Sequence, residues 1–245
     1  MDHGIRGLSA EPAAFAAALP DLPKWVYARS LLLSGAAAVR VAAARDAALV
    51  LESTTAVLVG RPDRQLLRDA LGENPRGPTL LVEDDTLMAV REALPGWSER
   101  PFLVHGRHRR YVPDMPLAHG VVVSAPLDPG VLNGLPDDVR SDVAGAPAAA
   151  VRTLHGVPLA VCTVSDLTET LWDVGIDTIE STRRQGHGTA VFLALAAAMA
   201  AQGQQPVWAA YEDYMPSLAM ASRLGFRPVA RMVELTPPGV SAPVS

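Results

Sequence analysis

The sequence predicts an α/β chain of the α+β kind, and three observations carry that reading. Strand-like and helix-like segments alternate along the chain. The order strand, strand, helix, strand, helix, strand occurs twice. The 245 residues are 49% hydrophobic and 19% charged, enough apolar material for one large core or two smaller ones. The same composition removes other classes. A chain this apolar is not disordered, and a formal net charge of -5 argues against a surface that binds nucleic acid throughout. The single cysteine, Cys162, leaves no disulfide framework and no cysteine-based metal cluster, and the six histidines show no metal-ligand spacing. The apolar stretches Ala13 to Leu19 and Ala190 to Ala201 are too short to span a bilayer, and Met1 to Pro12 carries Asp2, Arg6 and Glu11 in place of a targeting segment. The expectation is a cytoplasmic protein with no membrane or nucleic-acid partner and no metal. Association into a homodimer is left open.

The elements follow in order. Ala47 to Glu52 and Thr55 to Gly60 are apolar, β-branched runs that read as a hairpin across Ser53 and Thr54. Leu66, Leu67 and Leu71 fall at helical spacing in Arg61 to Leu71, opened by Pro62. Thr79 to Val82 is a strand, Asp84 to Leu94 a helix with an acidic start, and Phe102 to His105 a strand. Prolines and glycines are densest between Pro113 and Pro147, which places a boundary near 115 to 125. Beyond it, Val157 to Ser165 and Thr168 to Ile179 are strands joined by a turn at Asp166. Gly188 to Gln202 is a helix stopped by Gly203, and Pro206 to Tyr211 a strand. Ser217 to Leu224 is a helix ended by Gly225. Phe226 to Leu235 is the last strand, with Val229, Arg231 and Val233 on one face and Ala230, Met232 and Glu234 on the other. The division expected is 1–116, 117–235 and a disordered tail at 236–245.

The loop Thr178 to Thr189 carries the chemistry. Gly186 and Gly188 remove side chains where backbone must come close to a ligand, and the following helix turns its first N–H groups and positive dipole end outward. Arg183 and Arg184 add donors suited to phosphate oxygens. The loop has neither the third glycine of a dinucleotide fingerprint nor the Gly-Lys-Ser/Thr ending of a triphosphatase loop. A pyrophosphate-binding turn is the economical reading.

Arg183-x-x-Gly186-x-Gly188 is entered from the strand Asp173 to Thr178. About thirty residues later come Ser217 and then Leu224-Gly225-Phe226. Together these resemble the GNAT superfamily of acyl-CoA-dependent N-acetyltransferases, over roughly residues 150 to 235. The resemblance implies a mixed, mainly antiparallel sheet flanked by helices; the repeated order of elements adds the expectation that residues 1–116 are a degenerate GNAT-like half or an accessory domain. It implies acetyl-CoA as co-substrate and direct acetyl transfer to the amine of a small molecule. It also implies that Arg183 and the backbone at Arg184, Gln185, Gly186, His187, Gly188 and Thr189 hold the CoA pyrophosphate. Ile176, Asp177 and Thr178, at the splayed strand end, pair with the pantetheine arm as an added strand. Asp173 occupies the strand position where many members carry the base, with Glu169 and Glu212 as substitutes. The sequence departs from the family at the acid. Where an asparagine precedes the helix serine and a tyrosine follows it, this chain has Tyr214 and Ala221. Tyr214, Tyr211 or a water held by Ser217 is left to protonate the thiolate; Ser217 also serves as a helix start, and the tyrosines as pocket lining. A reading of another class is a non-catalytic acyl-CoA-binding sensor or regulatory module.

Of the remaining features, His187 is expected to point to solvent and Cys162 to pack in a strand. The run His105 to Tyr111 reads as a solvated basic turn, or as a contact to an acidic group. In the first half, Arg61-Pro62-Asp63-Arg64-Gln65-Leu66 stands where a glycine loop belongs. Pro62 lacks an N–H and Leu66 blocks close approach, so if this half is a degraded acetyltransferase-like domain it has lost CoA binding and is expected to serve as a structural partner or substrate wall. Trp25, Tyr27 and Tyr111 are its candidate substrate contacts.

Overall fold

The computed structural model describes residues 8–71, 77–107 and 118–240. In chain order the elements are α1 (Pro12–Ala18), α2 (Val26–Ser34), β1 (Ala38–Val41), β2 (Ala47–Leu51), β3 (Thr55–Gly60), α3 (Arg64–Leu71), β4 (Thr79–Glu83), α4 (Leu87–Ala93), β5 (Ser98–Gly106), β6 (Val121–Ser124), α5 (Asp137–Val143), β7 (Ala149–Leu154), β8 (Val157–Leu167), β9 (Leu171–Thr178), α6 (His187–Ala201), β10 (Gln205–Tyr211), α7 (Met215–Arg223) and β11 (Arg227–Thr236). The series β2-β3-α3-β4-α4-β5 and β8-β9-α6-β10-α7-β11 repeat the order read from the sequence. Two compact units result. One takes the chain up to Val104 with 210–218 and everything from Pro228 on; the other takes His105–Ala209 and Ala219–Arg227. The expected boundary at 116 and 117 lies outside the described residues.

In the first unit β2 pairs antiparallel with both β1 and β3, and β3 is parallel to β4 from Thr55↔Thr79 to Val57↔Leu81. The last strand of the chain, β11, then joins β4 antiparallel, from Met232↔Glu83 to Leu235↔Leu80. Alternation places Leu49, Leu58, Leu80, Val82, Val233 and Leu235 in a core with Leu67 and Leu71 of α3 and Val90 of α4. The intervening Val50, Val57 and Val59 are buried as well, and α2 packs on β2 and β3. These strands are therefore covered on both faces, which is why they read as continuous apolar runs.

Arg29 is buried in α2, and its Nη1 donates to the carbonyls of Ala16, at 2.6 Å, and Leu19. Those carbonyls end α1, where no helical partner remains for them. Arg29→Met keeps much of the stem volume and removes the donors. The expected cost is about 2–4 kcal/mol of unfolding free energy in urea, since buried acceptors lose their partners. An unchanged midpoint would show that the guanidinium does not secure α1.

In the second unit β6, β7, β8 and β9 form antiparallel neighbours, and β10 pairs parallel with β9. Helix α6 lies on β6 to β9. Phe192 of α6 stacks near Trp172, with centroids 6.4 Å apart, and meets Trp208 and Phe226 at 5.6 and 5.8 Å. Leu132, Leu135 and Val143 cover Ala149, Val151 and Val161. The proline- and glycine-rich stretch thus holds β6, a short 3-10 turn and α5. The turn expected at Asp166 lies further on: β8 runs to Leu167, and Thr168 closes the hairpin by accepting the Leu171 N–H at 2.9 Å. The shift follows from an irregular register between Val164 and Leu167.

Candidate functional site

Strand β9 sets the site. Its parallel register with β10 covers three residues, from Gln205↔Leu171 to Val207↔Asp173, after which β9 continues against β8 as far as Ala160↔Thr178. A Cβ built on Gly188 of α6 would meet Thr178 Oγ1 at 3.0 Å and Ile176 Cδ1 at 3.5 Å, so Ile176 and Thr178 face the helix. Asp173, Gly175 and Asp177 fall on the other face, as alternation requires. Gly175 is needed there, because a Cβ would come within 2.5 Å of the hydroxyls of Thr163 and Ser165. Asp173 is buried at 7% exposure, unlike an ordinary surface carboxylate, while Asp177 is exposed.

The loop between β9 and α6 is pinned to β8. The Ile179 N–H donates to the Leu159 carbonyl at 3.0 Å, and Thr182 Oγ1 donates to the same carbonyl at 3.2 Å. Arg183 Nε donates to the Thr178 carbonyl at 3.3 Å, and the exposed Arg184 adopts a left-handed φ of 63°. Gly186 is the N-cap of α6 with φ 80°, a conformation that favours glycine. No side chain caps this helix, and no heavy atom lies within 4 Å of a Cβ built on Gly186. The first amides of α6, at His187, Gly188 and Thr189, therefore have no side-chain cap, and Arg183 and Arg184 precede them in the chain, both exposed. This suits a pyrophosphate. His187 departs from its expected exposure. The residue is half-buried with Nδ1 shielded from solvent, and burial together with Arg152 lowers its pKa.

Helix α3 of the first unit offers a contrast. Asp63 Oδ1 accepts the N–H groups of Gln65 and Leu66 at 2.8 and 3.1 Å. A carboxylate already occupies the end that an anion would use. The local obstacle is Asp63 itself, in addition to Pro62 and Leu66.

The end of β10 lies in the first unit. Tyr211 donates its hydroxyl to Glu234 Oε2 at 2.7 Å, and burial together with this bond raises its pKa well above the usual phenol value. Such a phenol is a poor proton donor to a thiolate. Glu212 forms a two-point pair with Arg231, at 2.7 and 3.1 Å, that lowers its pKa and weakens it as a substitute base. Tyr214 is half-buried and accepts the Ser217 N–H at 3.1 Å through its carbonyl; Ser217 sits in the first turn of α7. Ala221, where the family tyrosine is expected, is fully buried. Helix α7 ends as expected: Gly225 has φ 85°, and the Phe226 N–H donates to the Ala221 carbonyl at 3.0 Å.

Other sequence candidates disperse. His105 is buried in β5 with Nδ1 3.0 Å from the Trp208 carbonyl, and Arg107 lies over the Phe226 ring, so neither belongs to a solvated turn. Residues 108–111, including Tyr111, lie outside the described residues. Trp25 is buried, and Tyr27 meets Phe102 edge to face at 6.1 Å. Burial drives the Cys162 thiol far up, consistent with a packing role. Among the described residues no group of three or more His, Cys, Asp or Glu side chains could hold a metal ion, and no helix is long and apolar enough to cross a membrane. Glu234 has no part in the sequence reading of the site, although its place on a strand face with Met232 was a usable signal.

No family model matches the chain, and no curated protein matches it in sequence. Solved structures do match it. A GCN5-related N-acetyltransferase-like protein from Streptococcus suis is 17% identical, with a TM-score of 0.66 over 94% of this chain and 100% of that one. A GCN5-related N-acetyltransferase from Kribbella flavida is 18% identical, with a TM-score of 0.59 over 91% and 97%. A tandem GNAT protein from the clavulanic acid biosynthesis pathway is 19% identical, with a TM-score of 0.52 over 84% and 85%. At these identities the likeness concerns the fold. The chain has the mixed, mainly antiparallel, helix-flanked fold of the GCN5-related N-acetyltransferases.

Proposed function

We propose that the chain is an acyl-CoA-dependent N-acetyltransferase that holds one acetyl-CoA and passes its acetyl group directly to the amine of a small molecule. The observation that carries this reading is the opening of α6: an uncapped helix start at Gly186, flanked by Arg183 and Arg184, following a strand that leaves its parallel neighbour after three residue pairs. In this reading the amides of Arg184 to Thr189 and the Arg183 side chain bind the pyrophosphate, and the β9 edge at Ile176 to Thr178 orients the pantetheine arm. Acetyl-CoA supplies the activated thioester. Asp173 takes the proton of the amine, and its burial limits competition from bulk water. Tyr214 is the phenol left to return a proton to the thiolate, with a water on Ser217 as the other route. The bond from Tyr211 to Glu234 argues against Tyr211 in that role.

Residues 117–235 are proposed as the working domain. Residues 1–116 are a GNAT-like half that repeats the order of elements and has lost the cofactor site. The three-residue parallel register of β3 with β4, which matches that of β9 with β10, supports a common origin. Calorimetric titration of the full chain is expected to give one acetyl-CoA per chain; two equal sites would contradict the role given to Asp63. Thiol release across a panel of primary amines tests turnover. The buried Ala221 favours a second reading, an acyl-CoA-binding sensor without a built-in acid. That reading requires tight binding with no release of thiol.

A further inference from the structure

We propose that the first unit carries a ligand site of its own, between α4 and the strands β5 and β11, which takes a short zwitterionic peptide with apolar side chains. A cavity of about 450 Å³ lies there, within the size range of small-ligand pockets. Every residue that lines it belongs to the first unit. It is not a remnant of a cofactor site, because its helical wall is α4 and not the start of α3, where Asp63 occupies the amides. The buried Leu87 and Val233 give it an apolar floor with Pro101, and Met88, 65% exposed, stands beside them. A flexible thioether at that place can fold over a ligand's apolar side chains.

The charges at the two ends of the cavity define the ligand. At the start of the helical segment, Arg231 pairs with Glu212 at 2.7 and 3.1 Å and also with Asp84. Two carboxylates meet one guanidinium, so this end suits an ammonium. Further along, Arg91 pairs with Glu99, Nε and Nη2 each donating at 2.6 Å. That end is balanced, but among the described residues Arg91 Nη1 donates to the Met88 sulfur alone, at 3.4 Å. A thioether is a weak acceptor, and a carboxylate oxygen is a far better partner for a charged donor. Asp84, in the 3-10 turn that leads into α4, and Arg91, in its last turn, are roughly 10–12 Å apart along the segment. Extended peptide spans about 3.3–3.6 Å per residue, so two or three residues reach from the ammonium end to Arg91.

Calorimetric titration of the full chain with Leu-Ala-Leu tests this, without acetyl-CoA, so the outcome does not depend on the transferase reading. One peptide is expected to bind per chain. The N-acetylated peptide, which lacks the ammonium, should bind at least about tenfold more weakly, as the loss of one charge-assisted hydrogen bond requires. Gly-Gly-Gly keeps both charges but leaves the floor bare, and it too should bind at least about tenfold more weakly. Arg91→Gln is expected to weaken Leu-Ala-Leu about tenfold and its C-terminal amide less, since the carboxylate is the group that engages Nη1. Amide NMR signals of 87–91 and Val233 should shift on binding. No binding of Leu-Ala-Leu, equal affinity for the acetylated or the glycine peptide, or shifts that spare α4 and β11 would overturn the proposal. The peptide comparisons use the wild-type chain, so the result stands whether or not Arg91→Gln folds.

Discussion

Replacing Gly186 with valine is expected to raise the acetyl-CoA Kd at least about a hundredfold, on the order of 3 kcal/mol, while leaving the chain folded. The reason is local. Gly186 holds φ 80° at the N-cap of α6, and a β-branched residue resists that conformation by roughly 1–2 kcal/mol. Nothing stands within 4 Å of its Cβ direction, so the substitution meets no clash inside the protein. Its side chain instead enters the space assigned to the phosphates, and relaxation of the backbone turns the amides away from it. Gly188→Ala acts differently: its Cβ presses on Thr178 and Ile176 and shifts the strand edge. Calorimetry with acetyl-CoA, together with a thermal midpoint for each variant, separates lost binding from lost folding. An unchanged Kd in Gly186→Val removes the helix start from the cofactor site.

Asp173→Asn is expected to lower kcat by about 10²–10⁴-fold, the range over which a positioned general base contributes. The acetyl-CoA Kd should stay unchanged, because Asp173 faces away from α6. Retention of turnover within about threefold would assign the base elsewhere. Glu212 is a weak replacement because it is engaged by Arg231.

Much of the fold was legible because the repeated series consists of runs with strong local contrast. Leu66, Leu67 and Leu71 mark α3, and Gly225 ends α7 by the geometry its position suggested. Less legible were α1, α2, β1, β6, β7 and α5. Alanine fills much of α1 and opens β7, which leaves little difference between faces to read, and β6 is four residues set among prolines and glycines. The α6 start could be found because glycine spacing is a local signal. The partners of Tyr211 could not. Glu234 lies twenty-three residues away, and Arg100 meets Tyr211 only through tertiary folding. His105 misled for the same reason: the arginines beside it suggest a solvated turn, whereas the strand it ends buries it against the Trp208 carbonyl. Asp63 was visible in the sequence, but its effect depends on the carboxylate folding back onto the Gln65 and Leu66 amides.

Heteronuclear NMR of the full chain during titration with CoA tests the central claim most directly, because it reports on individual amides. The amide signals of Arg184 to Thr189 are expected to shift and saturate together, while those of Gln65 and Leu66 at the start of α3 stay in place. Saturating shifts at Gln65 and Leu66, or none at Arg184 to Thr189, would contradict the assignment of α6 as the acyl-CoA site.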